Sequence, residues 1–237
     1  MERYSRHRDL LSDAAWERLC SIAVVVAGAG GLGSQVLELL VRLGPLVLSV
    51  WDPATLDAPD LNRQILYTTR DIGAKKARAA CRRLKEINPD ANVECHAERL
   101  APDTFAPERL SLPFVLFDCL DSFAERKGLE TIQQAAGCPI FHGGVEGWYG
   151  QAATFRPGGV SYRDAFGPEW FRLPKAGKPI LPHVCAAVAS AQVREYLGWL
   201  EAPGSSPLDG GLLLYDGRTL NTRILAVSPG SPKKERG

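Results

Sequence analysis

The stretch "VVVAGAGGLGS", residues 24–34, decides how the rest of the chain is read. Small apolar residues run into Gly28-Ala29-Gly30-Gly31-Leu32-Gly33, and a helical pattern follows. A strand that feeds G-x-G-x-x-G into a helix turns backbone N–H groups and the positive helix end toward a phosphate chain. The glycines permit the tight turn and the close approach. Reading outward, 21–27 has the unbroken apolar character of a fully buried strand, 32–43 that of an apolar-faced helix, and 46–51 that of a second strand ending at Asp52. This is a β-α-β unit, the building block of parallel sheets. An acidic residue about 20 positions after the loop suits a ribose hydroxyl, and Asp52 is placed for that. The features signal an adenine nucleotide without separating NAD from ATP.

Downstream, a helix is expected over 72–87, stopped at "NPDAN" (88–92) because Pro89 disfavours helix at Asn88. A strand follows over 93–96, then a buried strand in "LPFVLFDCLD" (112–121) whose carboxyl end delivers Asp118 and Asp121. A helix over 122–136 and a strand in "CPIFHGG" (138–144) complete the first half. "GQAATFRP" (150–157) alternates as an edge or antiparallel strand does, and 156–182 reads as a long loop rich in Gly and Pro. Helix returns over 183–200, and "GGLLLYDGRTLNTRILAV" (210–227) reads as two strands around "DGRT", a hairpin with Asp-Gly turn chemistry. The expected fold is α/β: a Rossmann-like, mostly parallel central sheet with helices on both faces, extended by antiparallel strands in the C-terminal part. The expected organisation is a single domain over 1–237, with a nucleotide-binding half (1–150), a second part (151–227) and a polar tail (228–237) that frays.

Composition sets the outer bounds. At 237 residues, 45% hydrophobic and 23% charged, the chain is long enough for one substantial core. A formal net charge of +1 gives no global basic field, so no nucleic-acid partner is implied. The first 21 residues carry Glu2, Arg3, Arg6, Arg8 and Asp9 without an apolar h-region. No apolar run reaches the roughly 18 residues of a membrane span, so the cytoplasm is the expected compartment. The six cysteines, at 20, 81, 95, 119, 138 and 185, never form C-x-x-C and are expected to be buried, reduced thiols.

The cations add discrimination. "DLNRQ" (60–64) brings Arg63 and Gln64 shortly after Asp52, and "IGAKKAR" (72–78) brings Lys75 and Lys76 at a helix start. Fixed cations beside a phosphate loop suit a triphosphate, whose leaving pyrophosphate gains charge in the transition state. Asp121, at the carboxyl end of a central strand, suits Mg²⁺ held jointly with phosphate oxygens. Taken alone, Arg63 and Lys76 read equally as solvated charges, and Asp121 as the N-cap of the next helix.

Their order along the chain carries a resemblance. Arg3-Tyr4-Ser5-Arg6-His7, "GAGGLGS", Asp52, "DLNRQ", "IGAKKA", "INP" (87–89) and "DCLDSFAER" (118–126) together resemble the ThiF/MoeB/HesA adenylyltransferases, bacterial relatives of ubiquitin-activating enzymes, over residues 3–227. The resemblance implies Mg-ATP-dependent adenylation of the C-terminal glycine carboxylate of a small ubiquitin-like sulfur-carrier protein ending in Gly-Gly. It implies that Gly28, Gly30, Gly31 and Gly33 cradle the nucleotide, Asp52 binds its ribose, Gln64 helps fix it, Arg63 and Lys76 contact phosphates, and Asp121 takes Mg²⁺. Arg6 resembles an arginine that reaches the ATP phosphates of the neighbouring subunit, which implies a homodimer.

The chain also departs from the family pattern. Ser161-Tyr162-Arg163-Asp164 stands where a C-x-x-C such as "CYRC" is usual, and 228–234 lacks the second cysteine pair, so no structural zinc is expected. The 156–182 loop is then held by packing of Phe166, Trp170 and Phe171, or is mobile. Asp60 and Ser122 stand where Asn is usual; a negative Asp60 near phosphates is unfavourable unless Arg63 or Lys76 offsets it. Cys185 at a helix start reads as a packed thiol or a reactive one. Lys75, Arg78, Arg82 and Lys85 read as a solvated helix face or a patch for an acidic carrier. The alternatives are a catalytically impaired nucleotide-binding scaffold and an NAD-dependent oxidoreductase.

Overall fold

The computed structural model describes residues 2–44, 47–110, 112–173, 179–203, 206 and 208–230. The stretch that opens the reading forms β1 (Ala23–Ala27) and α2 (Gly31–Leu43), preceded by α1 (Asp13–Ser21) and followed by β2 (Val47–Trp51). Two glycines of the loop have specific steric work. Gly28 sits at φ +95°, where L side chains are strained, and a Cβ on Gly33 would lie 1.9 Å from the Gly28 carbonyl oxygen. Only a bare Cα lets the helix start pack onto the strand end.

The remaining elements are α3 (Lys76–Ile87), β3 (Asn92–His96), β4 (Phe114–Asp118), α4 (Phe123–Ala136), β5 (Ile140–Glu146), β6 (Tyr149–Phe155), α5 (Tyr162–Phe166), α6 (Pro182–Glu201), β7 (Gly211–Asp216) and β8 (Asn221–Ala226). Among the described residues one eight-stranded sheet runs in the order β3-β2-β1-β4-β5-β6-β7-β8. The pairs from β3 to β5 are parallel and those from β5 to β8 antiparallel. Strand order reverses at β1, between β2 and β4, and such a switch point opens a crevice beyond the carboxyl ends of the strands.

Each face of the sheet carries its own core. Val24 and Val26 of β1 join Leu37, Leu40, Leu84 and Val188 in one cluster, while Val25 and Ala27 join Leu129, Ile132 and Tyr162 in the other. The alternation follows from the period of two along a strand. Helices on both faces make every residue of β1 and β2 buried, hence their unbroken apolar runs.

Several expectations need correction. The helix expected from 72 begins at Lys76, because Thr68 and Asp71 cap a short turn at Thr69–Asp71 and Gly73 has φ +86°. The long 156–182 loop contains α5 and a turn at Trp170–Arg172, held by a Trp170–Tyr162 stack at 4.8 Å and edge contacts of Phe123 with Phe166 and Trp170. Residues 174–178 and the tail from 231 onward lie outside the described residues. The cysteines are not all buried thiols: Cys95 is exposed, Cys20 half-buried, and Cys81 and Cys95 form a disulfide with Cα atoms 6.1 Å apart. Packing of α3 on β3 brings the two positions into bonding range, which the 14-residue separation could not reveal.

At the segment where zinc-binding cysteines are usual in the family, Ser161 and Asp164 form a capping box at the start of α5. Asp164 also accepts the N–H of Gly230 at 2.7 Å, joining the two segments through a carboxylate. No helix is long and apolar enough to cross a membrane among the described residues.

Candidate active site

The crevice at the switch point is a cleft of ≈ 880 Å³. Gly28, Gly30 and Gly31 line it from the β1–α2 loop, Asp52 from the end of β2, Arg63 and Gln64 from the following segment, Lys76 from the start of α3, and Asp121 from beyond β4. The structure thus brings together eight of the residues singled out in the sequence. Gly33 lies behind the loop in its packing role, outside the cleft lining. Arg6 is exposed, in the N-terminal segment ahead of α1, and does not line the cleft.

Local chemistry explains each placement. Asp52 is buried, and its two carboxylate oxygens accept the N–H groups of Ala29 and Ala54, both at 2.8 Å, so it fixes the glycine loop as well as facing the cleft. Lys76 is buried to 9% exposure because it opens α3 against the Ala54 carbonyl, and Tyr67 ties the same turn to Ala29 through its hydroxyl. Lys76 Nζ meets Asp60 Oδ2 at 2.9 Å, and Arg63 meets the other oxygen at 3.4 Å. Burial raises the Asp60 carboxyl, but the bond and charge of Lys76, the Asp57 amide and the charge of Arg63 outweigh it and leave it below its ordinary value. Gln64 donates to Asp60 at 2.7 Å, while its buried Oε1 has no hydrogen-bond partner among the described residues. An acceptor left in this state fits a ligand bearing hydroxyl or amino donors. Asp121 is exposed at the mouth; the N-cap of α4 is Ser122, so the capping role considered for Asp121 does not apply.

Beneath the Asp121 segment lies a network that sequence reasoning left unassigned. Asp118, fully buried, accepts from Arg126 Nε at 2.7 Å, from His142 Nδ1 at 2.6 Å and from the Tyr162 hydroxyl at 2.8 Å. Arg126 also donates to the carbonyls of Leu120 and Gly143, and the far nitrogen of His142 lies 3.3 Å from Gln151. Burial alone would raise the Asp118 carboxyl, but Arg126, His142 and Tyr162 hold it down at about 2. Burial pushes His142 the other way, below its ordinary value despite Asp118, so the ring is neutral with its proton on Nδ1. Arg126 stands in "DCLDSFAER", but its partners lie 6 to 17 residues away, and His142 and Tyr162 reach Asp118 across 24 and 44.

Cys185 is fully buried in the core although it borders the cleft, and burial pushes its thiol up to about 11, which disfavours the thiolate form. Lys75, the N-cap of α3, and Arg78, Arg82 and Lys85 along it are exposed, which fits a solvated face and a patch for an acidic carrier alike. No group of three or more His, Cys, Asp or Glu is arranged to hold a metal among the described residues.

A glycine loop at the switch point of a doubly wound sheet, with two fixed cations and a carboxylate facing it, defines a nucleotide-binding α/β protein. The chain belongs to the ThiF family, whose pattern matches residues 4–236. It is 33% identical over 239 residues to a SAMP-activating enzyme E1 of Haloferax volcanii, covering 98% of this chain and 88% of that protein. It is 32% identical over 241 residues to a sulfur carrier protein adenylyltransferase of Thermus thermophilus, covering 96% and 87%. Its fold is similar to that of E. coli MccB in a crystal structure with ATP, with a TM-score of 0.79 at 16% identity over 99% of this chain and 73% of that one.

Proposed function

We propose that this chain is an adenylyltransferase that activates the C-terminal glycine carboxylate of a small ubiquitin-like sulfur-carrier protein ending in Gly-Gly, with Mg-ATP as co-substrate. The observation that carries the reading is the convergence of Arg63, Lys76, Gln64 and Asp121 on one cleft with the glycine loop. The names of the relatives point the same way. The cleft extends past Gly144 and Gly150 to Tyr149, Leu214 and Tyr215, and this is the side on which the reading places the glycine tail of the carrier.

The carrier carboxylate is itself the nucleophile, so the protein's tasks are positioning and charge stabilisation. The carboxylate oxygen bonds to the α-phosphorus, the bond from that phosphorus to the bridging oxygen of the β-phosphate breaks, and pyrophosphate leaves with the electron pair. Lys76 and Arg63 offset the charge that develops on it. The glycine loop turns N–H groups toward the phosphates, and Asp52 takes a ribose hydroxyl. Asp121 is the carboxylate for Mg²⁺, which would arrive with the triphosphate because one carboxylate and phosphate oxygens suffice for it; the ion neutralises phosphate charge. Arg6 belongs to the site of a second copy in a homodimer. The same reading places the protein in the cytoplasm, with neither nucleic acid nor membrane as a partner.

ATP–pyrophosphate exchange tests the proposal, with a ubiquitin-fold protein ending in Gly-Gly as carrier. Exchange that disappears when the terminal glycine is removed is expected. Exchange indifferent to the carrier contradicts the substrate assignment.

A further inference from the structure

Asp60 is out of place for a phosphate site. It lines the cleft with Arg63 and Lys76, yet it carries the charge of the ligand those cations would bind. Its surroundings show that it is built in. One carboxylate oxygen takes Lys76 Nζ at 2.9 Å and the Asp57 N–H at 3.2 Å; the other takes Gln64 Nε2 at 2.7 Å and Arg63 Nη2 at 3.4 Å. The side chains of Asp60, Lys76 and Arg63 are only 15%, 11% and 20% exposed, so solvent screens these charges less than it would at an open surface. Three donors that face the cleft are therefore gathered on a single carboxylate.

We infer that Asp60 is an internal counter-anion that competes with the polyphosphate for Lys76 and Arg63, and so sets how tightly triphosphate is held and how readily pyrophosphate leaves. The inference rests on the nucleotide reading above and deepens it. A phosphate oxygen approaching Lys76 meets a cation already paired, and it gains only the difference between the two pairings. The same carboxylate recaptures Lys76 and Arg63 when pyrophosphate departs, which lowers the barrier to release. AMP, whose single phosphate lies at the glycine loop in this reading, leaves the Asp60 pairing undisturbed.

A merely structural Asp60, one that only holds Lys76 in place, predicts the opposite sign. Removing it would then disperse the cations and weaken polyphosphate binding. The two are separated by titration calorimetry with ATP, inorganic pyrophosphate and AMP on wild type, Asp60→Asn, Lys76→Gln and the double variant. We expect Asp60→Asn to bind ATP and pyrophosphate at least about tenfold tighter, since one unit charge a few ångströms away is worth more than that at intermediate dielectric. AMP affinity should change less than about twofold, and the gain should shrink sharply in the Lys76→Gln background. Pyrophosphate binding to Asp60→Asn should also depend more steeply on salt. Should the amide fail to fold, Asp60→Ser removes the same charge and carries the same prediction.

Polyphosphate binding that weakens or stays unchanged in a folded variant, with ATP and AMP still bound by wild type, overturns the counter-anion alone. Failure of wild type and variants to bind any of the three ligands overturns the nucleotide reading and the inference with it.

Discussion

Arg126 Nε lies 2.7 Å from Asp118 Oδ2, with the arginine side chain 4% exposed and the aspartate fully buried. The pair sits under the segment that carries Asp121, and the same guanidinium holds the carbonyls of Leu120 and Gly143. It therefore links β4, the turn after it and β5 at the floor of the cleft. Breaking a buried pair by deleting one partner leaves the other charge uncompensated.

Arg126→Ala is accordingly expected to destabilise the fold by about 3–5 kcal/mol. Chemical denaturation of wild type and variant measures it. A loss below about 1 kcal/mol would mean the pair is dispensable.

The network also gives stability a pH dependence. His142 is pushed below its ordinary value by burial, so below about pH 6.5 the unfolded chain takes up a proton that the folded chain refuses. Stability should fall as pH drops through that value. His96 is also pushed down by burial and acts in the same window. His142→Gln should flatten part of the slope, and His142→Gln with His96→Gln more of it. Asp118, held at about 2, adds a second loss as pH falls from about 4 toward 2, where the unfolded carboxyl protonates first. Melting temperatures across pH 2–8 check both limbs.

Gly33→Ala puts a methyl group 1.9 Å from the Gly28 carbonyl oxygen, a clash with backbone that no rotamer relieves. Destabilisation at or beyond the upper end of the roughly 1–3 kcal/mol typical of overpacking is expected. An unchanged melting temperature would show that the β1–α2 junction is looser than described.

Thiol titration of the denatured, unreduced protein should find four reactive cysteines, at 20, 119, 138 and 185, and six after reduction. Six without reductant would place Cys81 and Cys95 as free thiols.

The β-α-β unit, the glycine loop and Asp52 were legible because burial on both faces of β1 and β2 leaves an unbroken apolar signal, and the phosphate turn has few sequence solutions. Lys76, Arg63 and Gln64 followed from order along the chain. α3 starts four residues later than the spacing predicts because Ile72 and Ala74 extend the apolar pattern upstream of Lys76, while the capped Thr69–Asp71 turn and Gly73 at φ +86° keep that segment out of the helix. The Asp118 network and the Cys81–Cys95 pair depend on contacts across the sheet, and no local spacing encodes them. Asp60 was visible as an anomaly, but its pairing with Lys76 needed the distance between two segments.

The most direct test of the nucleotide assignment is thermal unfolding of the full chain with Mg-ATP and, separately, with NAD. A ligand at 100 times its dissociation constant stabilises by about 2.7 kcal/mol, a readily measured shift. Stabilisation by Mg-ATP and not by NAD is the predicted result. Stabilisation by NAD alone would contradict it, and with it the role given to Arg63 and Lys76.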